Sequence, residues 1–359
     1  MKHPPPRVAI LAEGLFAHET AKTAIGALRY APYPIVAVID STRAPSDAAA
    51  HVGAGAGAPV VGTLGESLAL GADVLLIGTA SAGGRIPDAY RPVLAQALAQ
   101  GVDVWSGLHE RVLADPELAS AAARGGGRVR ELREPPPDLP VGGNRRRREA
   151  AKVVLTVGTD AAVGKMTVAL EIVAALKRAG QRVAFVATGQ TGIAIAGSGI
   201  AVDAVVADFI AGAAERMVCE AAERADWLIV EGQGSLMHPG FSGVTMGLLH
   251  GSAPDAMVLC HDMRRQQVKG NVFGLPIRRL SECVRIYEDA ASWRNPPGSP
   301  RARVVAVAIN TSSSTNGDLV RATLDGARVE TGLPVFDPVR QGESGADGIA
   351  DAVRGALLG

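Results

Sequence analysis

One loop in the sequence dictates both a local backbone geometry and a binding chemistry. Residues 158–167 read GTDAAVGKMT and lie between an apolar run, residues 152–157, and a segment whose apolar residues recur at helical spacing. A strand that passes into a helix through such a loop points backbone N–H groups and the positive end of the helix dipole at one place. The pattern predicts a phosphate-binding loop, or P-loop, in which the side chain of Lys165 adds a full positive charge.

Two positions of this loop depart from the general pattern GxxxxGK[ST]. Thr159 stands where the first glycine belongs, although Gly158 precedes it, and Met166 stands where a Ser or Thr normally ligates Mg²⁺. Thr167 comes one residue late, which turns its hydroxyl about 100° around the helix. We therefore predict phosphate binding and no metal site. The predicted cofactor-binding residues of the loop are Gly158, Thr159, Asp160, Ala161, Ala162, Val163, Gly164, Lys165, Met166 and Thr167.

Apolar runs alternate with helical patterns along the rest of the chain, which is typical of βαβ units with parallel strands. Runs that are apolar throughout favour sheets covered by helices on both faces. The predicted strands are residues 7–12, 35–40, 73–79 and 102–107 in the first half, and residues 152–157, 182–187, 227–231, 256–261, 304–310 and 334–336 in the second. Helices are predicted in the first half over residues 21–30 and 89–100.

A proline-rich stretch separates these two series. Residues 134–143 read EPPPDLPVGG, in which the prolines remove N–H donors and break helices, and the basic cluster 145–148 follows. A chain of 359 residues suits two domains. The predicted fold class is α/β, with a Rossmann-like N-terminal domain over 1–133, a linker over 134–150 and a P-loop NTPase-like domain over 151–359. Both domains are expected to have largely parallel sheets.

The N-terminal half lacks the glycine fingerprint of dinucleotide-binding domains. Its first strand ends in Glu13-Gly14-Leu15-Phe16, with no GxGxxG. Asp40 ends the second strand, where a dinucleotide-binding fold would contact ribose. Because the glycines are missing, we interpret this half as a Rossmann-like domain without a nicotinamide cofactor.

The charge balance and the length of the apolar runs exclude several classes of protein. Lys and Arg total 36 and Asp and Glu total 36, so the chain lacks the basic surplus of a nucleic-acid-binding protein. No apolar run reaches about 18 residues, and the N-terminus lacks the apolar core of a signal peptide. The three cysteines are irregularly spaced without a CxxC pair, which favours a reducing compartment. We expect a cytoplasmic protein that binds neither nucleic acid nor a membrane.

A second polar site follows another apolar run. Residues 225–240 read ADWLIVEGQGSLMHPG, so the run ends at Glu231 and a Gly-Gln-Gly-Ser turn follows. Ligands of open α/β sheets bind beyond the carboxyl ends of the strands, which places Glu231 on the same rim as the P-loop. Glu231 can hold Mg²⁺, act as a base toward an amine, or only hold the loop. His238 is a second candidate for proton transfer.

Other polar residues that follow predicted strands are candidates for ligand contacts. Gln190, in TGQTG, is predicted to bind the cofactor. Either Arg264 or Arg265 can bind a substrate carboxylate through two parallel N–H groups. The residues predicted to bind substrate are Gln233, Arg264, His261 and Asp208.

Longer stretches of the sequence resemble known families. Two segments, GTDAAVGK at 158–165 and VEGQGS at 230–235, are similar to segments of dethiobiotin synthetase. The sequence resembles the DgcN-like family more closely, because that match extends over nearly the whole chain. Met166 departs from the general P-loop and is usual in that family. The stretches that carry the resemblance are KTAIGALRY (22–30), VAVID (36–40), GTDAAVGKMT (158–167), TGQTGI (188–193), DAVVADFIAGAAE (203–215) and EGQGSLMHPGFSGVTMGLLHGSAPD (231–255).

The resemblance implies a Rossmann-like N-domain, a P-loop C-domain and an activity. Family members include D-glutamate N-acetyltransferases that use acetyl-CoA. The first hypothesis is therefore transfer of acetyl from acetyl-CoA to the amino group of D-glutamate or a similar amino dicarboxylate. The phosphates of CoA can occupy a P-loop without Mg²⁺, which agrees with Met166. The alternatives are a kinase or ligase that uses ATP with Mg²⁺, and a nucleotide-responsive regulatory protein that is not an enzyme.

Acetyl transfer to an amine needs a base, donors for the developing oxyanion, and cations for the substrate carboxylates. Glu231 or His238 is the predicted base, and Ser235 completes the predicted catalytic group. The backbone N–H groups of Gly232–Ser235 are the candidate oxyanion donors, and Arg264 is the candidate carboxylate ligand. The expected partner is a small amino-acid substrate, and the chain is expected to form a homo-oligomer.

Overall fold

The computed structural model describes residues 4–80, 82–145, 147–270, 273–295 and 301–359. The chain forms two compact units. The first comprises the residues up to Glu134 together with Gln190–Ala201, and the second comprises Pro135–Gly189 together with Val202–Gly359. None of the helices in these described ranges is both long and apolar enough to span a bilayer.

The first unit contains a seven-stranded sheet in the order β3-β4-β2-β1-β5-β6-β7. All neighbouring strands pair in parallel except β3 and β4, which are antiparallel. The strands are β1 (Val8–Leu11), β2 (Ile35–Ile39), β3 (Ser46–Asp47), β4 (Pro59–Val61), β5 (Val74–Ile77), β6 (Asp103–Ser106) and β7 (Val129–Glu131).

The helices of the first unit cover this sheet. Leu11, Ile39 and Leu75 from the strands pack in one buried cluster with Leu94 and Leu98 from a helix. The helices are α1 (Lys22–Tyr30), α2 (Ala49–Val52), α3 (Leu64–Ala69), α4 (Tyr90–Ala99), α5 (Pro116–Gly125) and, from a later part of the chain, α7 (Gln190–Ala196).

Helix α7 belongs to the first unit because of specific contacts. The hydroxyls of Thr23 and Thr191 lie 2.8 Å apart, and the Tyr33 hydroxyl donates to the carbonyl of Ala194 at 2.8 Å. This arrangement differs from the continuous domains predicted from the sequence, since no pattern in TGQTGI indicates which sheet its helix covers.

The second unit contains a six-stranded sheet, all parallel, in the order β13-β12-β11-β8-β10-β9. Its strands are β8 (Lys152–Gly158), β9 (Val183–Val186), β10 (Trp227–Val230), β11 (Ala256–Asp262), β12 (Arg303–Asn310) and β13 (Val335–Phe336). Strands β9 and β10 lie on one side of β8, and β11 to β13 lie on the other. The strand order therefore reverses at β8, and such a reversal places a ligand crevice at the carboxyl end of the strand.

Helices cover both faces of this second sheet. Ile172 and Leu176 pack in one buried cluster with Ile349 and Val353. The helices are α6 (Lys165–Arg178), α8 (Ala207–Ala222), α9 (Ser242–Ser252), α10 (Leu280–Ser292), α11 (Gly317–Thr331) and α12 (Glu343–Leu358). The predictions of a Rossmann-like and a P-loop domain, both with largely parallel sheets, are confirmed. The strands that the sequence did not predict, β3, β4 and β7, have only two or three residues each.

The stretch predicted as a linker is anchored to helix α8. The buried Glu215 carboxylate accepts the N–H groups of Gly143 at 3.3 Å and Arg145 at 2.8 Å. Two arginines of the basic cluster form ion pairs, Arg147 with Asp255 at 2.7 Å and Arg148 with Asp226 at 2.6 Å, whereas Arg146 lies outside the described residues. Most of this cluster therefore fixes the start of the second unit.

Close packing of α8 against α9 generates a prediction about stability. A Cβ at Gly251 would lie 2.1 Å from the carbonyl oxygen of Ala211, whereas a Cβ at Gly326, exposed on α11, would meet nothing within 4 Å. We expect Gly251→Ala to destabilise the protein by about 1–3 kcal/mol. Gly326→Ala, the matched control, should stabilise it by about 0.4–1 kcal/mol because alanine restricts the unfolded chain. Urea unfolding measures the free energy of unfolding of both variants. Equal stability of the two would contradict the close contact between α8 and α9 at Gly251.

Candidate functional site

The loop between β8 and α6 has the geometry of an anion site. The backbone is left-handed at Ala162, with φ +55°, and at Gly164, with φ +96°. No side-chain atom crowds Gly164, so its positive φ is what favours glycine there. Among the described residues, the N–H groups of Ala162, Val163 and Gly164 have no protein acceptor. Unpaired N–H groups at a helix N-terminus point toward one place and can together bind an anion.

Lys165 lies beneath this loop with its charge removed from water. Its side chain is 6% exposed, and Nζ donates to the carbonyl of Asp160 at 2.8 Å. Burial lowers the pKa of Lys165 from 10.5 to about 8, against the opposing effects of Cys260, Asp160 and Glu231. An anion bound in the loop would favour the charged form of this lysine.

Two glycines leave room for the lysine side chain. A Cβ at Gly158 would lie 2.9 Å from Lys165 Nζ. A Cβ at Gly232 would lie 2.9 Å from Lys165 Cδ and 1.7 Å from the carbonyl oxygen of Thr156. The loop that follows β10 therefore lies directly against the P-loop lysine, as the shared rim of the sheet predicts.

Asp160 and Thr159 hold the P-loop from within. The buried Asp160 carboxylate accepts the N–H groups of Ala161 at 2.7 Å and Lys269 at 2.8 Å, and it lies 3.4 Å from Arg265 Nε. The Thr159 hydroxyl lies 2.9 Å from His261 Nδ1. Burial lowers the pKa of His261, which keeps its ring neutral near pH 7. These side chains, predicted as ligand contacts, are engaged in holding the loop.

Glu231 follows the last residue of β10 and is almost completely buried. One carboxylate oxygen, Oε2, accepts the N–H groups of Thr188 at 3.0 Å and Gly189 at 3.1 Å. Within the described part of the chain, Oε1 accepts no hydrogen bond. Burial raises the pKa of Glu231 from 4.5 to about 7, while the two N–H groups and Lys165 oppose the rise. A carboxylate with a pKa near 7 suits a general base.

His238 has no free ring nitrogen. Nδ1 accepts the N–H of Gly240 at 3.0 Å, so Nε2 carries the proton and donates it to the carbonyl of Lys269 at 3.0 Å. The ring also stacks on Phe241, with centroids 4.2 Å apart. This arrangement favours a structural role over the predicted proton transfer, because both nitrogens would first have to lose their partners.

The loop after Glu231 contains both used and unused N–H groups. Gly232 donates its N–H to the Thr156 hydroxyl at 2.9 Å, so this predicted oxyanion donor is already occupied. In the described chain, the N–H groups of Gln233, Gly234 and Ser235 have no protein acceptor. The Thr245 hydroxyl donates to the carbonyl of Gln233 at 2.7 Å and so fixes the turn.

Tyr287, on α10, connects this loop to the P-loop. Its buried hydroxyl donates to the carbonyl of Gly158 at 2.8 Å and accepts the N–H of Leu236 at 3.2 Å. It also accepts the N–H of Gly158 at 3.4 Å. Sequence reasoning missed Tyr287 because it lies on the apolar face of an amphipathic helix, where an aromatic residue normally indicates core. The only available signal was the hydroxyl itself, which needs a partner when buried.

The remaining predicted residues lie in varied surroundings. The Arg264 guanidinium pairs with Asp262 through two N–H groups, at 3.1 and 2.8 Å. Gln233 lies against Gly189, where a Cβ would be 2.5 Å from its amide nitrogen. Asp208 is exposed in the first turn of α8. Gln190 belongs to the first unit, where its side-chain oxygen accepts an N–H of Arg133 at 3.2 Å.

The structure thus brings the P-loop, Lys165, Glu231 and the turn 232–235 together in the second unit. Across the described residues, no group of three or more His, Cys, Asp or Glu side chains is arranged to hold a metal ion.

Two family models match the sequence of this chain. The model of the DUF1611 P-loop domain, a domain of unknown function, matches residues 140–347, and the model of the DUF1611 Rossmann-like N-terminal domain matches residues 41–135. The chain belongs to the DUF1611 family. This match, together with the relatives described next, confirms the resemblance to the DgcN-like family that the sequence motifs indicated.

Individual relatives agree with this assignment. A DUF1611 crystal structure from Anabaena variabilis is 38% identical, with a TM-score of 0.88 over 98% of this chain and 99% of that one. A D-glutamate N-acetyltransferase of a Pseudoalteromonas species is 38% identical over 77% of this chain and 81% of its own length. A D-glutamate N-acetyltransferase of Tritonibacter scottomollicae is 39% identical over 78% of this chain and 81% of its own length.

The lowered pKa of Lys165 predicts how phosphate binding depends on pH. A bound phosphate favours the charged lysine, so affinity for a phosphate-bearing ligand should fall above pH about 8, by up to about tenfold per pH unit. Calorimetry between pH 7 and 9.5 measures this slope, and binding above pH 8 should take up a proton. Lys165→Arg, which stays charged, should flatten the profile, and Lys165→Ala should weaken binding throughout. An equally steep slope in the arginine variant would assign the titration to another group.

Proposed function

We propose that this protein is a D-glutamate N-acetyltransferase that takes its acetyl group from acetyl-CoA. The observation that carries the proposal is the position of Glu231, a buried carboxylate with a pKa of about 7 that adjoins a phosphate loop. The activity for which the Pseudoalteromonas and Tritonibacter relatives are named supports the same reaction.

The P-loop suits the phosphate end of CoA. The N–H groups of Ala162, Val163 and Gly164 are available as donors, and the Lys165 ammonium supplies the charge. Gly158 and Gly232 keep the space around that ammonium open. Met166 occupies the position of the usual Mg²⁺-binding hydroxyl, so these residues would hold a phosphate through N–H groups and the lysine alone.

The amino group of the substrate must lose a proton before it can react. At neutral pH it arrives mainly as an ammonium, which has no lone pair. Glu231 is placed to take that proton on Oε1, since Oε2 is held by Thr188 and Gly189. Acetyl-CoA supplies the acetyl group as a thioester, whose C–S bond breaks as the amide C–N bond forms, and the departing thiolate takes a proton from solvent.

Other groups of the second unit would bind the developing charge and the substrate carboxylates. The N–H groups of Gln233, Gly234 and Ser235 are the available donors for an oxygen that gains negative charge. Arg264 remains our assignment for one carboxylate, because its two hydrogen bonds to Asp262 fix the plane of the guanidinium.

Replacing the proposed base should affect turnover far more than binding. Glu231→Gln keeps the size of the side chain and removes its basicity, so kcat should fall by about 10²–10⁴-fold while CoA affinity changes little. In the parent, kcat/KM should fall about tenfold per pH unit below pH about 7, and the Gln variant should lose this dependence. Release of free CoA thiol measures the rate.

The matched control is Glu215→Gln. Glu215 is equally buried in the second unit and also accepts backbone N–H groups, but from the segment before β8. We expect this variant to lose stability and to keep its turnover per folded molecule. If Glu231→Gln behaved in the same way, with kcat within about threefold of the parent, Glu231 would only hold the 188–189 turn.

The ATP-dependent alternative predicts a different response to metal and ligands. If Met166 marks a phosphate site that works without metal, EDTA should leave the acetyl-transfer rate nearly unchanged. Saturating CoA or acetyl-CoA, at about 100 times its Kd, should stabilise the protein by about 2.7 kcal/mol. ATP with Mg²⁺ should do so much less. A rate that EDTA abolishes and Mg²⁺ restores, with release of ADP, would instead identify a kinase or ligase.

A further inference from the structure

Tyr287 joins the two loops of the proposed active site through one buried hydroxyl. Its ring is fully buried on α10. The hydroxyl donates to the carbonyl of Gly158, the first residue of the P-loop, and accepts the N–H groups of Gly158 and Leu236. One donated and two accepted bonds use the full capacity of a phenol group.

The hydrogen bonds of the Tyr287 hydroxyl connect the turn that carries the proposed oxyanion donors with the loop that would hold the CoA phosphates. Leu236 follows directly after Gln233, Gly234 and Ser235, whose N–H groups are the proposed oxyanion donors. Gly158 begins the loop that would hold the CoA phosphates. Burial raises the pKa of Tyr287 to about 12, so the hydroxyl keeps its proton and remains a donor at neutral pH.

We infer that Tyr287 is a positioning residue for the proposed acetyl transfer, whose hydroxyl fixes the turn 233–236 relative to the phosphate loop. The inference rests on the proposed function. It assigns Tyr287 no contact with the substrate or with acetyl-CoA, so its effect on the rate is exerted through the two loops. A displacement of about 1 Å between reacting groups costs roughly 10²-fold in rate, which is why a single fixed hydroxyl matters here.

The test is Tyr287→Phe, which removes the hydroxyl and keeps the ring. We expect kcat to fall about 10- to 100-fold, with the KM for acetyl-CoA within about threefold of the parent, because the donors of the P-loop itself remain. A role limited to stability would lower the melting temperature without this split between kcat and KM.

Tyr90→Phe is the matched control. Tyr90 is also fully buried, its pKa is also raised to about 12 by burial, and its hydroxyl lies 3.0 Å from that of Thr79 in the first unit. Its loss should lower the melting temperature and leave kcat per folded molecule unchanged. If Tyr287→Phe lowers kcat no more than Tyr90→Phe does, the inference is overturned.

Two further readouts separate this inference from the proposed reaction. The Ser235 hydroxyl accepts the N–H of Met237 at 3.3 Å and so holds the same turn as Tyr287. The double variant Ser235→Ala with Tyr287→Phe should therefore lose little more activity than the worse single variant. Amide hydrogen exchange needs no turnover, and Tyr287→Phe should speed exchange at Leu236, whose N–H loses its acceptor, but not at residues 154–156 in the middle of β8. If the parent transfers no acetyl group, the proposed function fails, and exchange still decides whether Tyr287 holds the turn. Unchanged exchange there would overturn the inference.

Discussion

The buried ammonium of Lys165 is the constraint on which the rest of the site depends. A charge in a protein interior needs a partner, and the nearest acceptor of Lys165 is a neutral carbonyl, that of Asp160 at 2.8 Å. The Asp160 carboxylate is occupied by the N–H groups of Ala161 and Lys269 and by Arg265. The site therefore carries positive charge that a bound phosphate would neutralise. A Cβ at Gly158 would crowd the ammonium itself, whereas one at Gly232 would first meet the carbonyl oxygen of Thr156 and then the lysine side chain.

The same burial gives Glu231 its chemistry. A carboxylate in water would be ionised far below pH 7 and would be a weak base. Burial beside β10 raises its pKa to about 7, while two backbone N–H groups and Lys165 stop the rise from going further. Binding of a phosphate at Lys165 would remove part of that opposing charge. The base and the anion site are therefore electrostatically connected, in addition to being adjacent in space.

Much of the fold could be predicted from the sequence because parallel strands buried on both faces read as unbroken apolar runs. The P-loop was equally clear, since loop, lysine, strand and helix all agree at 158–165. What could not be predicted depends on tertiary contacts. The tautomer of His238 is set by the N–H of Gly240, two residues further on, and by the carbonyl of Lys269, which only the fold brings to the ring. Tyr287 matters only because α10 brings its hydroxyl to Gly158.

The proposed function is tested most directly by the product formed from D-glutamate. The purified protein, incubated with acetyl-CoA and D-glutamate without added metal, is analysed by chiral chromatography with mass detection. We expect N-acetyl-D-glutamate and one free CoA thiol for each amide formed. Absence of the amide at saturating concentrations of both substrates, in a protein that binds CoA through Lys165, would contradict the proposed function.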